Sequence, residues 1–414
     1  MTHRRCLANL LLTASFTCLF LDLSCAFVPA SRRGPRAASP TQSPSQLFAA
    51  AGIKVGIAGA GAVAFGSAAR LVENSHDPML WSPSGSSTSD LISGSPLLAT
   101  GAIESTLQPR IATTAQQLVE ENDVLLLALP ANGHISVMDA IAPHIRSGQT
   151  IIISSHSSLG ALYLGQLLAD REMEGVPIVA WGTTAITARR PSGCDVQVCT
   201  VRTQVDMCTV PTSASEAGME LCKSLFGDVF RQRDGLLAIS LSNLNAQNHL
   251  AIALCNMSRM ERGETWSQGL NITPNVGRFM EALDEERLAI ADAVGVQVRT
   301  VREHFSLSFH VPLASVYEMN QEMVKLGNDV NGPASPDSRY VTEDVPFGLT
   351  LIVELGRMVG RPAILHEAGI RIVSALYGRE FDKENELLKA LKLASRTIED
   401  IVEAGENGVL GKRR

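Results

Sequence analysis

A glycine-rich segment near residue 60 constrains the fold of this chain more than any other stretch. Residues 52–58 (GIKVGIA) form a short apolar run, residues 59–64 (GAGAVA) follow directly, and a helical pattern then continues to about Glu73. A strand, a G-x-G-x-x-A turn and a helix in this order are typical of the first strand of a dinucleotide-binding sheet. An ordinary glycine-rich turn between a strand and a helix is the alternative.

Each position of this turn has a physical role in the predicted site. Gly59 permits the tight turn, Gly61 lets the backbone approach a pyrophosphate, and Ala64 allows the helix to pack closely on the strand. The unpaired N–H groups of the helix start, which begins near Ala62, face the phosphates. We therefore predict that Gly59, Gly61, Ala62 and Ala64 bind the cofactor.

The residues after the second predicted strand bear on the choice between NAD and NADP. This strand covers residues 79–81 and is followed by Ser82, Pro83 and Ser84, so it lacks the carboxylate that would hold a ribose 2′-hydroxyl. The hydroxyls of Ser82 and Ser84 can donate hydrogen bonds to a 2′-phosphate. The sequence therefore favours NADP slightly over NAD, although no Arg is adjacent to these serines.

Further apolar strands indicate a parallel sheet. Residues 123–129, 150–154 and 178–181 have the continuous apolar character of strands buried on both faces. Ligands of such sheets bind at the carboxyl ends of the strands. Four residues that follow these ends are expected on the ligand side: Pro130, His134, His156 and Thr183. We predict a cofactor contact for the proline, a substrate contact for the threonine, and positions in loops near the nicotinamide for both histidines.

Strand signals almost disappear after about residue 235. Helical length and apolar periodicity occur in residues 244–262, 276–294, 315–326, 347–359, 363–376 and 385–404. We predict an α/β protein in which an N-terminal Rossmann-like doubly wound sheet (residues 49–234) is followed by an all-α C-terminal domain (residues 235–414). This domain can carry the substrate site or serve only to form a homodimer.

The first of these helices carries a polar face. Ser242 and Asn243 are candidate N-caps, and His249 lies at helical spacing from Asn245 and Asn256 on an otherwise apolar helix. Buried groups of this kind are costly unless they find partners. We predict that the two asparagines orient a substrate or the histidine. A core histidine that is satisfied by the asparagines is the alternative.

Residues 338–348 (SRYVTEDVPFG) concentrate charged and aromatic side chains before a helix. An arginine can form paired hydrogen bonds with a carboxylate ligand, and a carboxylate can orient a histidine. Arg339 and Asp344 are candidates for these roles. A salt-bridge cluster at a helix start would have a similar composition.

Taken together, these segments resemble the octopine/nopaline (opine) dehydrogenase family. The resemblance rests on the glycine-rich turn and on residues 243–249 (NLNAQNH), 281–287 (EALDEER) and 339–346 (RYVTEDVP), and it covers about residues 52–393. Two positions depart from the family pattern. Residues 246–248 read AQN where many members have a proline, and the loop after Trp181 reads GTT where opine-forming members often have Glu-Thr.

The resemblance implies an NAD(P)H-dependent oxidoreductase that joins an amino acid to a 2-oxo acid and reduces the resulting imine. It implies His249 as the catalytic histidine, Asp344 as its carboxylate partner and Arg339 as the residue that holds a substrate carboxylate. His249 and Asp344 should then lie within hydrogen-bond reach. The departures leave the identity of both substrates open.

Two other functions are compatible with the sequence. One is a 2-oxo or 3-hydroxy acid reductase of the same fold, which dependence of NAD(P)H oxidation on an amine would distinguish. The other is a non-catalytic nucleotide-binding protein, which would bind the cofactor without oxidising it.

The first 48 residues differ in composition from the rest of the chain. An apolar run ends at Ser24, Cys25 and Ala26, which is the small-residue pattern of a signal-peptidase site. Residues 27–45 are rich in Arg, Ser, Ala and Pro and contain no acidic residue, as in organelle transit peptides. This order resembles the bipartite leaders of plastid proteins, so we predict a removed leader, a plastid location and no membrane segment in the mature form. Secretion or a retained anchor helix are the alternatives.

Net charge and cysteine content limit the classes of partner and ligand that this chain can bind. The net charge of −7 argues against nucleic acid as the main partner. The cysteines outside the leader show no Cys-x-x-Cys pair and no histidine at zinc-ligand spacing: Cys194, Cys199, Cys208, Cys222 and Cys255. We therefore predict free, mostly buried thiols, no metal site, and small-molecule partners.

Overall fold

The computed structural model describes residues 52–411. The predicted leader and its targeting signals lie outside the described residues.

The described residues contain twelve strands: β1 (Lys54–Ala58), β2 (Asp77–Trp81), β3 (Leu97–Gly101), β4 (Ser105–Leu107), β5 (Arg110–Ile111), β6 (Val124–Leu127), β7 (Thr150–Ile153), β8 (Ile178–Trp181), β9 (Ile186–Arg189), β10 (Asp195–Val201), β11 (Val205–Val210) and β12 (Phe230–Gln232). Eight form one sheet in the order β12-β11-β8-β7-β6-β1-β2-β5. Its strands pair in parallel, except that β11 is antiparallel to β8. The order reverses at β1, so the glycine-rich turn lies at the switch point where such sheets bind ligands.

Six helices belong to the same half of the chain: α1 (Ala62–Glu73), α2 (Ser89–Ile92), α3 (Ala115–Glu120), α4 (His134–Ile141), α5 (Gly160–Ala169) and α6 (Ser215–Phe226). The buried valines, isoleucines and leucines of β1, β6 and β7 form cores on both faces of the sheet. This arrangement confirms the predicted Rossmann-like fold.

A second sheet, in the order β4-β3-β10-β9, was not predicted. Among its strands, only residues 196–201 show in the sequence the alternating pattern of a half-exposed strand. This sheet covers α1, and the contact is close: a Cβ at Gly66 of α1 would lie 2.7 Å from Cγ2 of Ile186 on β9. The second sheet therefore brings the end of β9 to the glycine-rich turn.

Twelve helices follow in the second half: α7 (Gly235–Leu241), α8 (Asn245–Cys255), α9 (Met257–Glu261), α10 (Gln268–Asn271), α11 (Pro274–Ala293), α12 (Val301–Phe309), α13 (Val316–Lys325), α14 (Arg339–Thr342), α15 (Thr350–Met358), α16 (Ile364–Tyr377), α17 (Glu386–Ala390) and α18 (Ile398–Asn407). A π-helical turn, Val345–Leu349, leads into α15. The hydrophobic core on one face of the sheet continues into these helices. Within residues 52–411, no helix is both long and apolar enough to cross a bilayer.

Two predicted helices are wrong in extent. The helix at residues 244–262 ends at Cys255, because the Asn256 side chain donates to the Ile252 carbonyl and competes with the backbone ladder. Its N-cap is Leu244, although the Asn243 side chain accepts from the backbone N–H of Asn245. The helix predicted at residues 385–404 is broken near Lys392, whose φ is +52°.

Candidate functional site

A hydrogen bond joins His249 on α8 to Asp344, the residue just before the π-helical turn. The Nδ1 atom of His249 lies 2.7 Å from Oδ2 of Asp344, which confirms the predicted proximity. Because a carboxylate only accepts when ionised, it fixes the proton of the neutral imidazole on Nδ1. The other nitrogen, Nε2, has no hydrogen-bond partner among the described residues and is left for a ligand.

Tyr340 stacks on one face of the His249 ring. The two rings stack with their centroids 3.5 Å apart and their planes 8° apart. The Tyr340 hydroxyl donates to Oε1 of Gln268 at 2.8 Å. Burial raises the pKa of Tyr340, and the charge of Asp344 raises it further. Tyr340 therefore stays neutral beside the imidazole, a role that was not predicted for it.

The π-helical turn brings Asp344 to α8. Gly348 of this turn faces Ala246, and a Cβ at Gly348 would lie only 2.4 Å from the Ala246 Cβ. The Phe347 carbonyl in this turn accepts hydrogen bonds from the Ser157 hydroxyl at 3.0 Å and from the Ser158 hydroxyl. The turn thus connects α8 with the loop that follows β7.

Arg339 forms an ion pair with Glu343 one turn later. Partial desolvation at the wall of the cavity lowers the pKa of Arg339, but the hydrogen bond and charge of Glu343 outweigh this, so its pKa is raised and it remains charged. The other oxygen of Glu343 accepts the backbone N–H of Ala131 at 3.0 Å. Glu343 therefore connects the arginine with the end of β6, where Pro130 precedes Ala131.

These groups surround a cavity of about 290 Å³. Its lining combines one cation, two carboxylates, an imidazole and small polar side chains: Ser155, Ser157, Asn243, Asn245, His249, Arg339, Tyr340, Glu343 and Asp344, with Ala131, Phe347 and Gly348 completing it. The cavity lies between the strand ends of the sheet and the helical half. It thus places an acid–base group and a carboxylate-binding group in one space.

Two predicted substrate residues lie elsewhere. Asn256 is buried and uses its amide to end α8, because it donates to the Ile252 carbonyl at 3.0 Å. Thr183 lies in the loop after β8 and is not part of the cavity lining. Asn245, by contrast, is exposed and does line the cavity.

His134 and His156 are both buried; His156 lies in the loop after β7, as predicted, whereas His134 is the first residue of α4. His134 begins α4 and its Nε2 lies 3.2 Å from the Leu129 carbonyl oxygen. Nε2 of His156 accepts the backbone N–H of Ala161 at 3.2 Å. Burial, with the neighbouring His134, lowers the pKa of His156 to about 3, so it stays neutral near pH 7.

The glycine-rich turn has room for a pyrophosphate. Gly59 has φ +134° and a Cβ there would meet the Ala128 carbonyl oxygen at 2.3 Å, so the turn requires glycine. Gly61 caps α1, and a Cβ there would meet no atom within 4 Å. The first N–H groups of α1, from Ala62 to the buried Ala64, have no side-chain cap and face this space. The turn therefore fits a dinucleotide.

The loop after β2 begins with Ser82 and Ser84. Ser82 is buried, Ser84 is exposed, and their hydroxyl oxygens lie 3.3 Å apart. Both hydroxyls therefore lie at the carboxyl end of β2, where the sequence predicted a contact with the ribose.

The five cysteines outside the leader are free, as predicted: Cys194, Cys208 and Cys222 are buried, while Cys199 and Cys255 are exposed. The part of the chain that the structure describes contains no cluster of three His, Cys, Asp or Glu side chains that could hold a metal ion.

Similarity to known proteins identifies the family. Residues 232–377 match the model for the α-helical domain of NAD/NADP octopine/nopaline dehydrogenases, and residues 54–156 match the model for coenzyme F420-dependent NADP oxidoreductases. An opine dehydrogenase of Arthrobacter sp. (strain 1C) is 34% identical over 299 residues, which cover 70% of this chain and 80% of that protein. Protein ocs of Agrobacterium tumefaciens (strain Ach5) is 23% identical over 306 residues, 73% of this chain and 83% of that protein.

Solved structures share the fold over most of this chain. Octopine dehydrogenase with NADH and L-arginine has a TM-score of 0.72 at 14% identity, covering 87% of this chain and 99% of that one. Yersinopine dehydrogenase with NADP⁺ has a TM-score of 0.63 at 15% identity, covering 86% and 99%. The chain therefore belongs to the opine dehydrogenase family and is an NAD(P)-dependent oxidoreductase.

Proposed function

We propose that this protein condenses an amino acid with a 2-oxo acid and reduces the product in the cavity beside His249. The observation that carries the proposal is the presence of His249, Asp344 and Arg339 around one space at the strand ends. In the overall reaction the amine nitrogen replaces the carbonyl oxygen, which leaves as water. A bound reduced nicotinamide would supply the hydride that reduces the C=N bond of the imine to the C–N bond of a secondary amine.

His249 is the proton donor in this proposal. Asp344 holds Nδ1 at 2.7 Å and Tyr340 stacks on the ring, so that Nε2 points in a fixed direction. A protonated Nε2 can give its proton to the departing oxygen, and the charge of Asp344 stabilises the imidazolium before the transfer. The proton then comes from His249 and not from bulk water.

Arg339 fixes a substrate carboxylate. Its side chain is 68% exposed at the cavity and only one of its nitrogens contacts Glu343. A guanidinium has five N–H donors in a planar fork, so donors remain for two parallel hydrogen bonds to a carboxylate. Asn245, on the same face of α8 as His249, can hold a second polar group of the substrates.

The experiment is a panel assay of NAD(P)H oxidation with pairs of amino acids and 2-oxo acids. We expect oxidation that requires both partners and a secondary amine product by mass spectrometry. H249N should lower kcat by about 10²–10⁴-fold, the usual contribution of an acid–base group. H310N is the matched control, because His310 is exposed and has φ +54°, a conformation that asparagine tolerates.

Two results would contradict the proposal. Unchanged turnover of H249N would exclude His249 as the proton donor. Oxidation with a 2-oxo acid alone, without an amine, would favour the reductase alternative.

The targeting of the chain and its assembly stay predictions. The order of an apolar run and an acid-free Arg/Ser-rich stretch within residues 1–48 supports plastid import. A fluorescent protein fused to these residues should enter plastids, and its secretion into the medium would contradict this. The native mass in solution tests whether the chain forms a homodimer.

A further inference from the structure

A row of serine hydroxyls follows β2, on the side of the sheet that carries the glycine-rich turn. The Oγ atoms of Ser82 and Ser84 are 3.3 Å apart, and those of Ser84 and Ser86 are 2.8 Å apart. Residues 82–88 (SPSGSST) contain no carboxylate. In a fold of this type the ribose of the adenosine half lies at this position, where a carboxylate would hold its 2′-hydroxyl. The row instead offers hydrogen-bond donors.

Arg190, which follows β9 in the second sheet, lies between this loop and the glycine-rich turn. Its guanidinium donates to the Ala60 carbonyl at 2.9 Å and to the Ser87 carbonyl at 3.2 Å, while Nε donates to the Gly193 carbonyl at 2.7 Å. The guanidinium carbon also lies 4.6 Å from the centre of the Phe65 ring. The arginine that the sequence did not place beside the serines is thus supplied by a distant strand.

The positive charge of Arg190 is not neutralised by a side chain. Within residues 52–411, no carboxylate forms an ion pair with it, and its three hydrogen bonds all go to backbone carbonyls. A guanidinium has five donors, so two remain. Two carboxylates lie near the loop that follows Arg190: Oδ2 of Asp90 on α2 is 3.6 Å from the position of a Cβ at Gly193, and Asp195 on β10 accepts a hydrogen bond from the Ser192 hydroxyl. A half-buried cation with free donors beside three hydroxyls favours an anionic ligand.

We infer that Arg190, together with Ser82, Ser84 and Ser86, binds the 2′-phosphate of NADPH and makes this protein prefer NADPH over NADH. The phosphate carries about −1.5 to −2 charges at neutral pH and three acceptor oxygens, which match one guanidinium fork and a row of hydroxyls. NADH lacks this group and gains nothing from the charge. The inference rests on the proposed function for its cofactor site but does not depend on the chemistry near His249.

A purely structural role for Arg190 predicts a different result. If the arginine only clamps the loop to the glycine-rich turn, its loss should weaken the binding of NADPH and NADH by the same factor. If it contacts the phosphate, only the affinity for NADPH should decrease. The ratio of the two dissociation constants therefore separates the roles.

The experiment measures dissociation constants of the full chain without substrates, by calorimetry or by nicotinamide fluorescence. The probes are NADPH, NADH and the half-molecules adenosine 2′,5′-bisphosphate and 5′-AMP. We expect the wild-type protein to bind NADPH at least about tenfold more tightly than NADH, because a hydrogen bond to a charged group typically contributes this much. Adenosine 2′,5′-bisphosphate should exceed 5′-AMP by a similar factor. R190Q should remove most of this ratio and change NADH affinity less than about twofold.

Matched variants complete the test. R189Q removes a positive charge from the exposed neighbouring position, and it should leave both affinities unchanged. S84A removes one exposed hydroxyl and should weaken the binding of NADPH but not that of NADH. R190K keeps the charge without the fork and should give an intermediate ratio.

Equal affinities of the wild-type protein for the two cofactors, or equal losses for both in R190Q, would overturn the inference. Because the half-molecules lack nicotinamide, these results are independent of whether the proposed condensation occurs. A protein that prefers NADPH but does not condense substrates would refute only the proposed function.

Discussion

Gly348 and Ala246 are in direct contact where the π-helical turn crosses α8, and a Cβ at Gly348 would lie 2.4 Å from the Cβ of Ala246. This contact sets the distance between the element that carries Asp344 and the helix that carries His249. We expect G348A to separate the two elements, since overpacking usually costs about 1–3 kcal/mol. Turnover should fall by an order of magnitude or more. Thermal unfolding should show the loss of stability that overpacking causes.

The double variant A246G/G348A tests whether the contact itself is responsible. The double variant removes the methyl group at position 246 and adds one at position 348, so the contact again holds a single methyl group. Turnover should therefore recover in part, although glycine within α8 costs about 1 kcal/mol. G405A is the control, because a Cβ at Gly405 meets no atom within 4 Å. No recovery in the double variant would mean that Gly348 acts through its backbone conformation.

The carboxylate of Asp344 should matter for orientation and charge together. D344N keeps the size of the side chain but permits the wrong imidazole tautomer, because an amide can donate to Nδ1. We expect kcat to fall by about 10²-fold or more while cofactor affinity is unchanged. D337N changes an exposed carboxylate in the preceding loop and should have full activity. Equal kcat in both variants would contradict the pairing.

Glu343 should affect substrate binding more than the chemical step. E343Q keeps an acceptor for the Ala131 N–H but removes the ion pair that orients Arg339. Because the arginine is exposed, this pair contributes roughly 0–1 kcal/mol. We expect KM for the 2-oxo acid to rise by only a few-fold, with kcat almost unchanged.

E343A also removes the contact with the strand end, so it should raise KM further. R339K keeps the charge but loses the fork, and it should raise KM for the same substrate by about tenfold or more. A fall in kcat alone, in any of these variants, would mean that the cluster acts on the reaction and not on binding.

Buried His156 should make the protein less stable in acid. Its folded-state pKa is about 3, whereas the unfolded chain takes up a proton near 6.5. Between these values the unfolded state binds more protons, so the free energy of unfolding decreases as pH falls from about 6.5 towards 3. H156Q cannot titrate but can still accept the Ala161 N–H. Its stability should depend less steeply on pH.

Denaturant unfolding at pH 7.5 and pH 5 provides the measurement. H310N, which changes an exposed histidine, should follow the wild-type pH dependence. A slope in H156Q equal to that of the wild type would show that His156 is already protonated in the folded protein.

Local patterns in the sequence predict one part of the fold and of the site. The first strand, its glycine turn and the pair His249 and Asp344 were predictable, because each follows from a local pattern or from the family resemblance. The N-terminus of α12 was also readable, since Thr300 and Glu303 form a capping box, but the helix was missed.

Other features depend on contacts that no local pattern encodes. Arg190 is adjacent to Ala60 only because the second sheet folds over α1, and its short strands give weak signals. Asn256 has the spacing of a site residue, yet its amide bonds to a carbonyl of its own helix. Helical spacing alone could not distinguish these two uses of a polar side chain.

The segment at residues 281–287, which contributed to the family resemblance, has a structural role. Asp284 and Arg287 are buried at 3% and 0% exposure and are joined at 2.7 Å. Asp284 also accepts hydrogen bonds from Gln247 on α8 and from the backbone of Val301 at the start of α12, both at 2.8 Å. The pair therefore supports the helix that carries His249 without contacting the cavity.

We expect D284N to destabilise the protein by about 3–5 kcal/mol, because it leaves a buried guanidinium without its counter-charge. The double variant D284N/R287M removes that charge as well. Its loss of stability should be smaller than the sum of the losses in the single variants D284N and R287M. E322Q, in the exposed Glu322–Lys325 pair, is the control and should cost at most about 1 kcal/mol. Urea unfolding measures all four variants. Additive losses for Asp284 and Arg287 would show that the two residues do not act as a pair, and that Asp284 stabilises α8 through Gln247 alone.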